Sequence, residues 1–506
     1  MTSTATIELP RVVTVAPIRR TAAALGSLGA LVSLAGSWIP SLWGDEAASL
    51  LSAERSVPSL LGMITHVDAV HGAYYLGLHF WIMIAGTSPF AIRLPSALAI
   101  GACVAAVVLL GAQLDSLSLG VIAGVACAVL PRVTYMGQEA RSYAFSAAIA
   151  AWLTVLLLGI LRQHAASRRR WLAYALLAAL AMYVFLYLAL VVVAHLALIV
   201  LRDDRRALFA AWARAFGLAV VLVVPLIVMG IIERGQIAYL GTRSQIGFAT
   251  LAVQLWFGNN WFALVAWALI ITALVFLVRD WRTRQARVRL APGVLPPATL
   301  VAAAWLFVPS ILLIGSHLLV PDFTARYLSM CAPAAALLMG VAIHRIARRR
   351  VVVIALSLLV VVALAAPSWV QQRGPYAKNN SDWAAISATI ARVATPGDAV
   401  VFDQSTRPSR STRLALNTYP AAFAGLADPT LKTPYFENTT WHDDQYSIAR
   451  AASLGKFDGV TKVWMVEYAS SSKIDADGID ELKSLGFERS TTIRNFRSAV
   501  IEFVRA

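Results

Sequence analysis

Apolar residues along this 506-residue chain come in blocks of roughly 20, the length of a helix that crosses a bilayer. The blocks fall near 22–41, 93–113, 117–136, 143–161, 171–186, 187–201, 213–232, 262–278, 297–319, 327–344 and 351–367, which predicts eleven membrane helices. The stretch 171–201 is too long for one helix and short for two. Arginine decides between them. Arg162 and Arg168 to Arg170 precede it, and Arg202, Arg205, Arg206 and Arg214 follow it. Both flanks therefore belong on the cytoplasmic side, and the chain crosses twice between them. The same rule places Arg279 to Arg289 and Arg345 to Arg350 inside. Eleven crossings from a cytoplasmic N-terminus put everything after the last block outside. Residues 74–85 (YYLGLHFWIMIA) are apolar over only about 12 positions, with Pro89 close behind. They read as a helix lying in the outer interface, where Tyr and Trp are favoured.

Past residue 368 the pattern changes. Residues 381–394 read as an amphipathic helix and Pro396-Gly397-Asp398 as a turn; 399–403 and 462–468 read as strands, 479–487 as a helix and 498–505 as a final strand. This alternation predicts a small α/β fold. The expected fold class is a polytopic α-helical membrane protein of about 11 transmembrane helices with a C-terminal extracytoplasmic α/β domain. Its parts are a cytoplasmic tail at 1–21, a transmembrane domain at 22–367 and the outer domain at 368–506.

Composition agrees. Only 14% of residues are charged, against about 25% in a soluble protein. A net charge of +16 would suit nucleic acid, but the arginines sit at the ends of apolar blocks, where they orient membrane helices. The expected location is the plasma membrane, with no nucleic-acid partner. Cys103, Cys127 and Cys331 all lie in apolar blocks, so the outer domain has no disulfide framework. Residues 1–20 are polar, end in Arg19-Arg20 and lead into the first block without a signal-cleavage site.

The outer loops collect the unusual residues. The first carries Asp45 and Glu46, then His66, Asp68 and His71; the second carries Gln138, Glu139, Arg141 and Tyr143. Glu233, Arg234, Gln236, Tyr239 and Arg243 fall in a third, and Asp322, Arg326 and Tyr327 in a fourth. Ionisable groups at membrane depth are expensive and usually functional. Plainer roles exist for each. Asp45 and Glu46 suit the N-terminus of a helix at 46–54, Glu139 and Arg141 can pair with each other, Arg326 can reach lipid headgroups, and His195 can be a satisfied buried histidine.

Taken in order, the motifs resemble a known family. Asp45-Glu46 follows the first block, Asp68-x-x-His71-Gly72-x-Tyr74-Tyr75 comes next, and Arg93-Leu94-Pro95-Ser96 opens the second block. Gln138-Glu139-Ala140-Arg141-Ser142-Tyr143 follows the third, and Pro321-Asp322-Phe323-Thr324-Ala325-Arg326-Tyr327-Leu328 opens a late helix with Pro333 beyond. This order resembles the GT-C glycosyltransferases of the dolichyl-phosphate-mannose protein mannosyltransferase and lipid A aminoarabinose transferase superfamily, bacterial mannosyltransferase-like members above all. The resemblance implies transfer of a sugar, mannose in those members, from a polyprenyl-phosphate donor to a glycan, lipoglycan or protein acceptor outside the cytoplasm. Asp45 would be the catalytic carboxylate and Glu46 would assist or position it. Arg326, Arg141, Glu139, Tyr327 and Tyr143 would hold the donor's phosphate and sugar, and Asp68, His71 and His66 would position donor or acceptor. The chain departs from the family at His71-Gly72-Ala73-Tyr74, where a Pro-Pro pair is common, and at Tyr183 to Tyr187, which lacks the histidine of many members.

The chemistry suits these groups. Glycosyl transfer passes through an oxocarbenium-like transition state, and a carboxylate can take the proton of the attacking hydroxyl. A lipid phosphate is already a good leaving group and needs charge stabilisation, which arginine supplies through its planar fork. A divalent cation could replace part of that charge; Asp45, Glu46, Asp68, His66 and His71 leave this open. Arabinosyl or other pentosyl transfer from a similar donor is the second reading. A lipid or glycan transporter is the third, although transporters place ionisable groups near the midplane on broken helices or internal repeats.

Overall fold

The computed structural model describes residues 15–163, 167–236, 246–283, 289–320, 323–469 and 478–506. Tyr239, Arg243, Pro321 and Asp322 lie outside them. From the N-terminus the helices are α1 (Val15–Leu34), α2 (Gly44–Ala53), α3 (Val57–Ile64), α4 (Gly72–Ala85), α5 (Pro89–Leu114), α6 (Leu117–Val129), α7 (Pro131–Met136), α8 (Tyr143–Leu161), α9 (Arg168–Val184), α10 (Ala189–Val200) and α11 (Arg205–Ile232). They continue with α12 (Asn260–Thr283), α13 (Ala298–Ser316), α14 (Ala332–Ala347, entered through a 3₁₀ turn at Ala325–Cys331) and α15 (Val351–Gln371).

Every block read as a membrane helix is helical. Seven of the described helices are long and apolar enough to cross a membrane by length and composition, and α1, α6, α9 and α10 fall short of that measure. The segment 117–136 is not one helix. Pro131 disfavours helical backbone at the residue before it, and Leu130 is extended (ψ 127°), which separates α6 from α7. α1 stops at Leu34 rather than running to 41, because Gly36 turns the chain at φ +72°. The 171–201 stretch does divide, at an extended Phe185. α4 stays at one end of the bundle: His79 Nδ1 lies 2.8 Å from the Ala53 carbonyl and the Trp81 indole donates to the Ala91 carbonyl at 2.8 Å.

The bundle is polar in an ordered way. The arginine-rich ends gather together, with Arg345 paired to Asp280 at 2.7 Å, His344 3.1 Å from Asp115 and Arg162 donating to the Gln113 carbonyl at 2.8 Å. The starts of α2, α5, α8 and α14 lie at the other end, where the sheet domain sits.

That domain follows α15. α16 (Trp383–Val393), α17 (Leu414–Thr418), α18 (Ile448–Ser453) and α19 (Ile479–Ser484) surround strands β1 (Ala399–Phe402), β2 (Leu431–Thr433), β3 (Asp444–Gln445), β4 (Lys462–Tyr468), β5 (Phe487–Arg494) and β6 (Ser498–Arg505). The main sheet has the order β1-β4-β6-β5, with β1 parallel to β4 and the rest antiparallel. β5 was not foreseen: it is an edge strand, largely solvent-exposed, so its sequence FERSTTIR lacks an apolar run. Phe402, Trp464 and Val500 on one side of this sheet share a core with Leu50, Leu60, Tyr75 and Ile92 from the bundle end. Val401, Met465 and Ile501 form a second core. Arg55 of the α2–α3 turn donates to the carbonyls of Asn438 at 2.9 Å and Thr440 at 2.5 Å, and Glu54 accepts from the Tyr435 hydroxyl at 2.7 Å. The sheet domain is fused to the bundle end by apolar packing and buried polar bonds together.

Candidate active site

The site is built on the first turn of α2, where Asp45 and Glu46 are adjacent but point apart, since consecutive helical side chains are about 100° apart. Glu46 turns inward. Arg93 grips it in a fork, Nε to Oε1 at 2.7 Å and Nη2 to Oε2 at 2.5 Å, with both side chains fully buried. Glu46 Oε1 also accepts the Ala140 N–H at 2.9 Å, and Arg93 Nη1 donates to the Ser37 and Pro40 carbonyls at 2.5 and 2.8 Å. One ion pair thus fastens the exit of α1, the start of α2, the start of α5 and the 138–141 loop. Neither acid caps α2 through its side chain; the N-cap is Trp43.

Asp45 turns the other way, and its carboxylate is partly open. Arg326 Nη1 is ion-paired to Asp45 Oδ2. Arg141 lies alongside, with Nη1 3.4 Å from the Asp45 carbonyl, 3.3 Å from Ser49 Oγ and 3.2 Å from the Tyr75 hydroxyl. Its Nη2 is 3.1 Å from His71 Nε2. A guanidinium can only donate, so His71 accepts there and carries its proton on Nδ1. Burial, together with Arg141 and Arg326, holds the His71 pKa well below the usual 6.5. The Tyr75 hydroxyl donates in turn to Asp68 Oδ2 at 3.0 Å. Burial raises the Asp68 pKa, with Arg141 opposing it. Among the described residues, the buried Nε–H groups of Arg141 and Arg326 have no hydrogen-bond partner. A buried donor left unpaired costs about 1–3 kcal/mol, so an anion that accepted both would be bound for that reason as well as for charge.

Glu139 is buried near the same point, held by its backbone carbonyl to Ser96 Oγ at 2.6 Å. It does not pair with Arg141. Burial raises its pKa, and Lys378 opposes the rise. Lys378 is a site residue that sequence reading missed. It follows α15 in the stretch PYAKNN, is fully buried, and sits 3.5 Å from the Tyr135 ring centroid. Burial lowers its pKa to about 8. Only its place just past the last apolar block, as a lone lysine, pointed to it.

Aromatic rings close the side by Arg326. Tyr327 stacks on Tyr187 at 5.1 Å, Phe185 meets Tyr327 at 5.8 Å, and Tyr143 meets Phe185 edge-on at 5.7 Å. Trp43 carries the Arg326 guanidinium 5.9 Å from its ring. His66 stands apart: it is exposed, and its Nδ1 lies 3.0 Å from both Thr65 Oγ1 and the Gly62 carbonyl. Glu233 and Gln236 receive the backbone N–H groups of Ala69 and Asp68 at 2.9 and 3.2 Å, fixing the first loop. His195 is satisfied, as expected, by Thr154 at 3.1 Å and Tyr174 at 2.8 Å. Among the described residues no three His, Cys, Asp or Glu side chains come together in a way that could hold a metal ion. Of the groups considered as ligands, Asp45, Glu46, Asp68 and His71 are engaged by Arg326, Arg93, Tyr75 and Arg141, and His66 stands outside the site.

ArnT from Cupriavidus metallidurans, bound to undecaprenyl phosphate, superimposes with a TM-score of 0.55 over 95% of this chain and 97% of its own, at 14% identity. Its apo form gives 0.57 at 13% identity, over 95% and 97%. The chain has the ArnT fold. That is the architecture the GT-C resemblance implied, a helical membrane bundle with a small sheet domain at its C-terminal end. The Archaeoglobus fulgidus oligosaccharyltransferase AglB, with an inhibitory peptide and dolichol-phosphate, aligns at a TM-score of 0.49 and 11% identity over 87% of this chain and 69% of its own. No protein-family model matches the sequence, and no curated protein matches it.

Proposed function

We propose that the chain is a glycosyltransferase that moves a sugar from a polyprenyl-phosphate donor to an acceptor by one inverting displacement. On this reading 22–367 is the catalytic membrane domain and 1–21 a cytoplasmic tail. The arginine-rich end of the bundle faces the cytoplasm, so the site and residues 368–506 face away from it. The observation that carries the proposal is the meeting of Asp45 with Arg326 beside Arg141, each guanidinium keeping a buried Nε–H that has no partner among the described residues. ArnT, which shares the fold, is known with undecaprenyl phosphate bound.

The steps follow from the charges. The donor phosphate draws Arg326 away from Asp45 and takes the free N–H groups of both arginines. Asp45 is then an unpaired carboxylate beside the reacting centre. The acceptor oxygen attacks the anomeric carbon as its proton passes to Asp45, and the bond from that carbon to the phosphate oxygen breaks with its electron pair staying on phosphate. General-base help of this kind contributes about 10²–10⁴-fold. Glu46 acts by position, through Arg93 and the 138–141 loop. Tyr75, Asp68 and His71 aim Arg141. Among the described residues Glu139 accepts no side-chain hydrogen bond, which leaves its oxygens for sugar hydroxyls. Tyr143 and Tyr327 give the sugar an aromatic wall. No step uses a metal.

Mannose is the sugar implied by the family resemblance, and a pentose engages the same groups. Purified protein in lipid, supplied with polyprenyl-phosphate-mannose or polyprenyl-phosphate-arabinose and a crude membrane fraction as acceptor, separates the two. Consumption of one donor names the sugar class. Consumption of neither rejects the proposal in favour of a transporter.

A further inference from the structure

Tyr135 and Lys378 stand beside the site and have no part in the steps above. The segment after α15 is fastened to α7 around Gln372. Its side-chain amide donates to the Pro131 carbonyl at 2.9 Å, its side-chain oxygen accepts from Thr134 Oγ1 at 2.8 Å, and its backbone carbonyl accepts from Gln138 Nε2 at 2.9 Å. Further along, Lys378 turns its ammonium onto Tyr135, 3.5 Å from the ring centroid and 3.4 Å from the backbone carbonyl. Arg132, held by the Leu255 and Gln254 carbonyls at 2.7 and 2.6 Å, lies 5.8 Å from the same ring. A desolvated cation is drawn to an aromatic face, so the phenol is fixed in direction.

The polar end of that phenol is open. Among the described residues the Tyr135 hydroxyl and the Glu139 carboxylate have no hydrogen-bond partner, and both residues keep some open surface. The charges of Asp45 and Glu139 reach the Tyr135 phenol and that of Tyr143. A carboxylate that accepts and a hydroxyl that both donates and accepts therefore stand close to the reacting centre, and together they match the hydroxyls of a sugar.

The charges of the site are already allotted. Glu46 has Arg93, Asp45 has Arg326, and Asp68 meets Arg141 through the Tyr75 hydroxyl. Lys378 and Glu139 form no contact ion pair, yet each is the other's strongest charged neighbour. Lys378 is fully buried, so its ammonium stays in place when a ligand arrives. No acid among these is left over for a further cation. A positive charge on the sugar would have to compete with Lys378 for Glu139 or occupy the base.

We infer that Tyr135 and Glu139 read the hydroxyls of the donor's sugar, that Lys378 fixes this wall, and that the sugar is uncharged, a hexose or pentose without an ammonium group. The inference rests on the transferase reading above and narrows its substrate. Lys378 is a positioning residue: it acts through Tyr135 and Glu139 and touches no sugar.

The test is competition binding to the purified full-length protein in detergent at about pH 6.5, where an amino sugar is cationic. The ligands are undecaprenyl phosphate and its mannose, arabinose and 4-amino-4-deoxyarabinose derivatives, the last two differing only in an ammonium for a hydroxyl. Wild type should bind the arabinose donor at least about tenfold more tightly than the amino sugar donor, and Lys378→Met should remove that preference. Tyr135→Phe keeps the ring for Lys378 and deletes the hydroxyl. It should weaken the mannose or arabinose donor about fivefold, one neutral hydrogen bond, and leave bare undecaprenyl phosphate unchanged. Equal or tighter binding of the amino sugar donor by wild type, or the same preference in Lys378→Met, would overturn the inference. So would a Tyr135→Phe effect that falls equally on bare undecaprenyl phosphate, which is what a merely structural role predicts. Turnover is followed on the same wild-type sample. Binding with the expected preference and no turnover would contradict the transferase reading and leave the sugar pocket standing; turnover without the preference would overturn the pocket alone.

Discussion

Arg326 and Asp45 form an ion pair across 281 positions of sequence, at the point where the start of α2 meets the entry to α14. The pair keeps the carboxylate neutralised until something with more negative charge takes the arginine. Arg326→Ala should therefore raise the donor KM and lower kcat/KM by about 10²–10³-fold, the usual cost of removing one charge-stabilising donor. Arg326→Lys should recover only part of this, because an ammonium cannot reproduce the planar fork. Steady-state kinetics on the three proteins checks it.

Glu46 and Arg93 should behave as a structural pair. Glu46→Gln or Arg93→Met alone leaves a buried charge without its partner and should cost about 3–5 kcal/mol. Replacing both with apolar residues of similar size should be much milder. Thermal unfolding in detergent separates this from catalysis, since Asp45→Asn should leave the unfolding temperature nearly unchanged.

Lys378 makes a pH prediction. Its pKa falls to about 8 in the folded protein, against roughly 10.4 unfolded. Between these values the unfolded chain binds more protons, so stability rises with pH across that window. The cost of burying the ammonium is fully present below about pH 8 and fades toward pH 10. Lys378→Met should remove this rise, and the difference between the two stability–pH curves measures it.

His71 acts as a neutral acceptor for Arg141. Since its pKa is pushed well below 6.5, donor binding should show no inflection from this residue between pH 6 and 7. His71→Ala should weaken undecaprenyl phosphate binding by about tenfold, one hydrogen bond to a charged group.

The bundle was legible because membrane helices announce themselves by length and by the arginines at their ends. Its irregularities were legible only where proline or glycine broke the backbone, as at Pro131 and Gly36. The strands β4 and β6 are buried and apolar and could be read; β5 is an exposed edge and could not. Of the site, the residues standing in motifs were visible in sequence, and the structure brings Asp45, Asp68, His71, Glu139, Arg141, Tyr143, Arg326 and Tyr327 together while leaving His66 outside. What sequence could not supply was partnership. Glu46 and Asp45 look equivalent as neighbours, and only three-dimensional packing gives one to Arg93 and the other to Arg326. Lys378 is a lone lysine just past the last apolar block, and its burial against Tyr135 is set by packing that the sequence does not show.

The most direct test of the account is turnover of polyprenyl-phosphate-linked sugar by purified protein in lipid, wild type against Asp45→Asn. Consumption by wild type, lowered at least about 10²-fold in the variant with undecaprenyl phosphate binding retained, is the predicted result. Equal consumption by both proteins would contradict the assignment of Asp45 as the base.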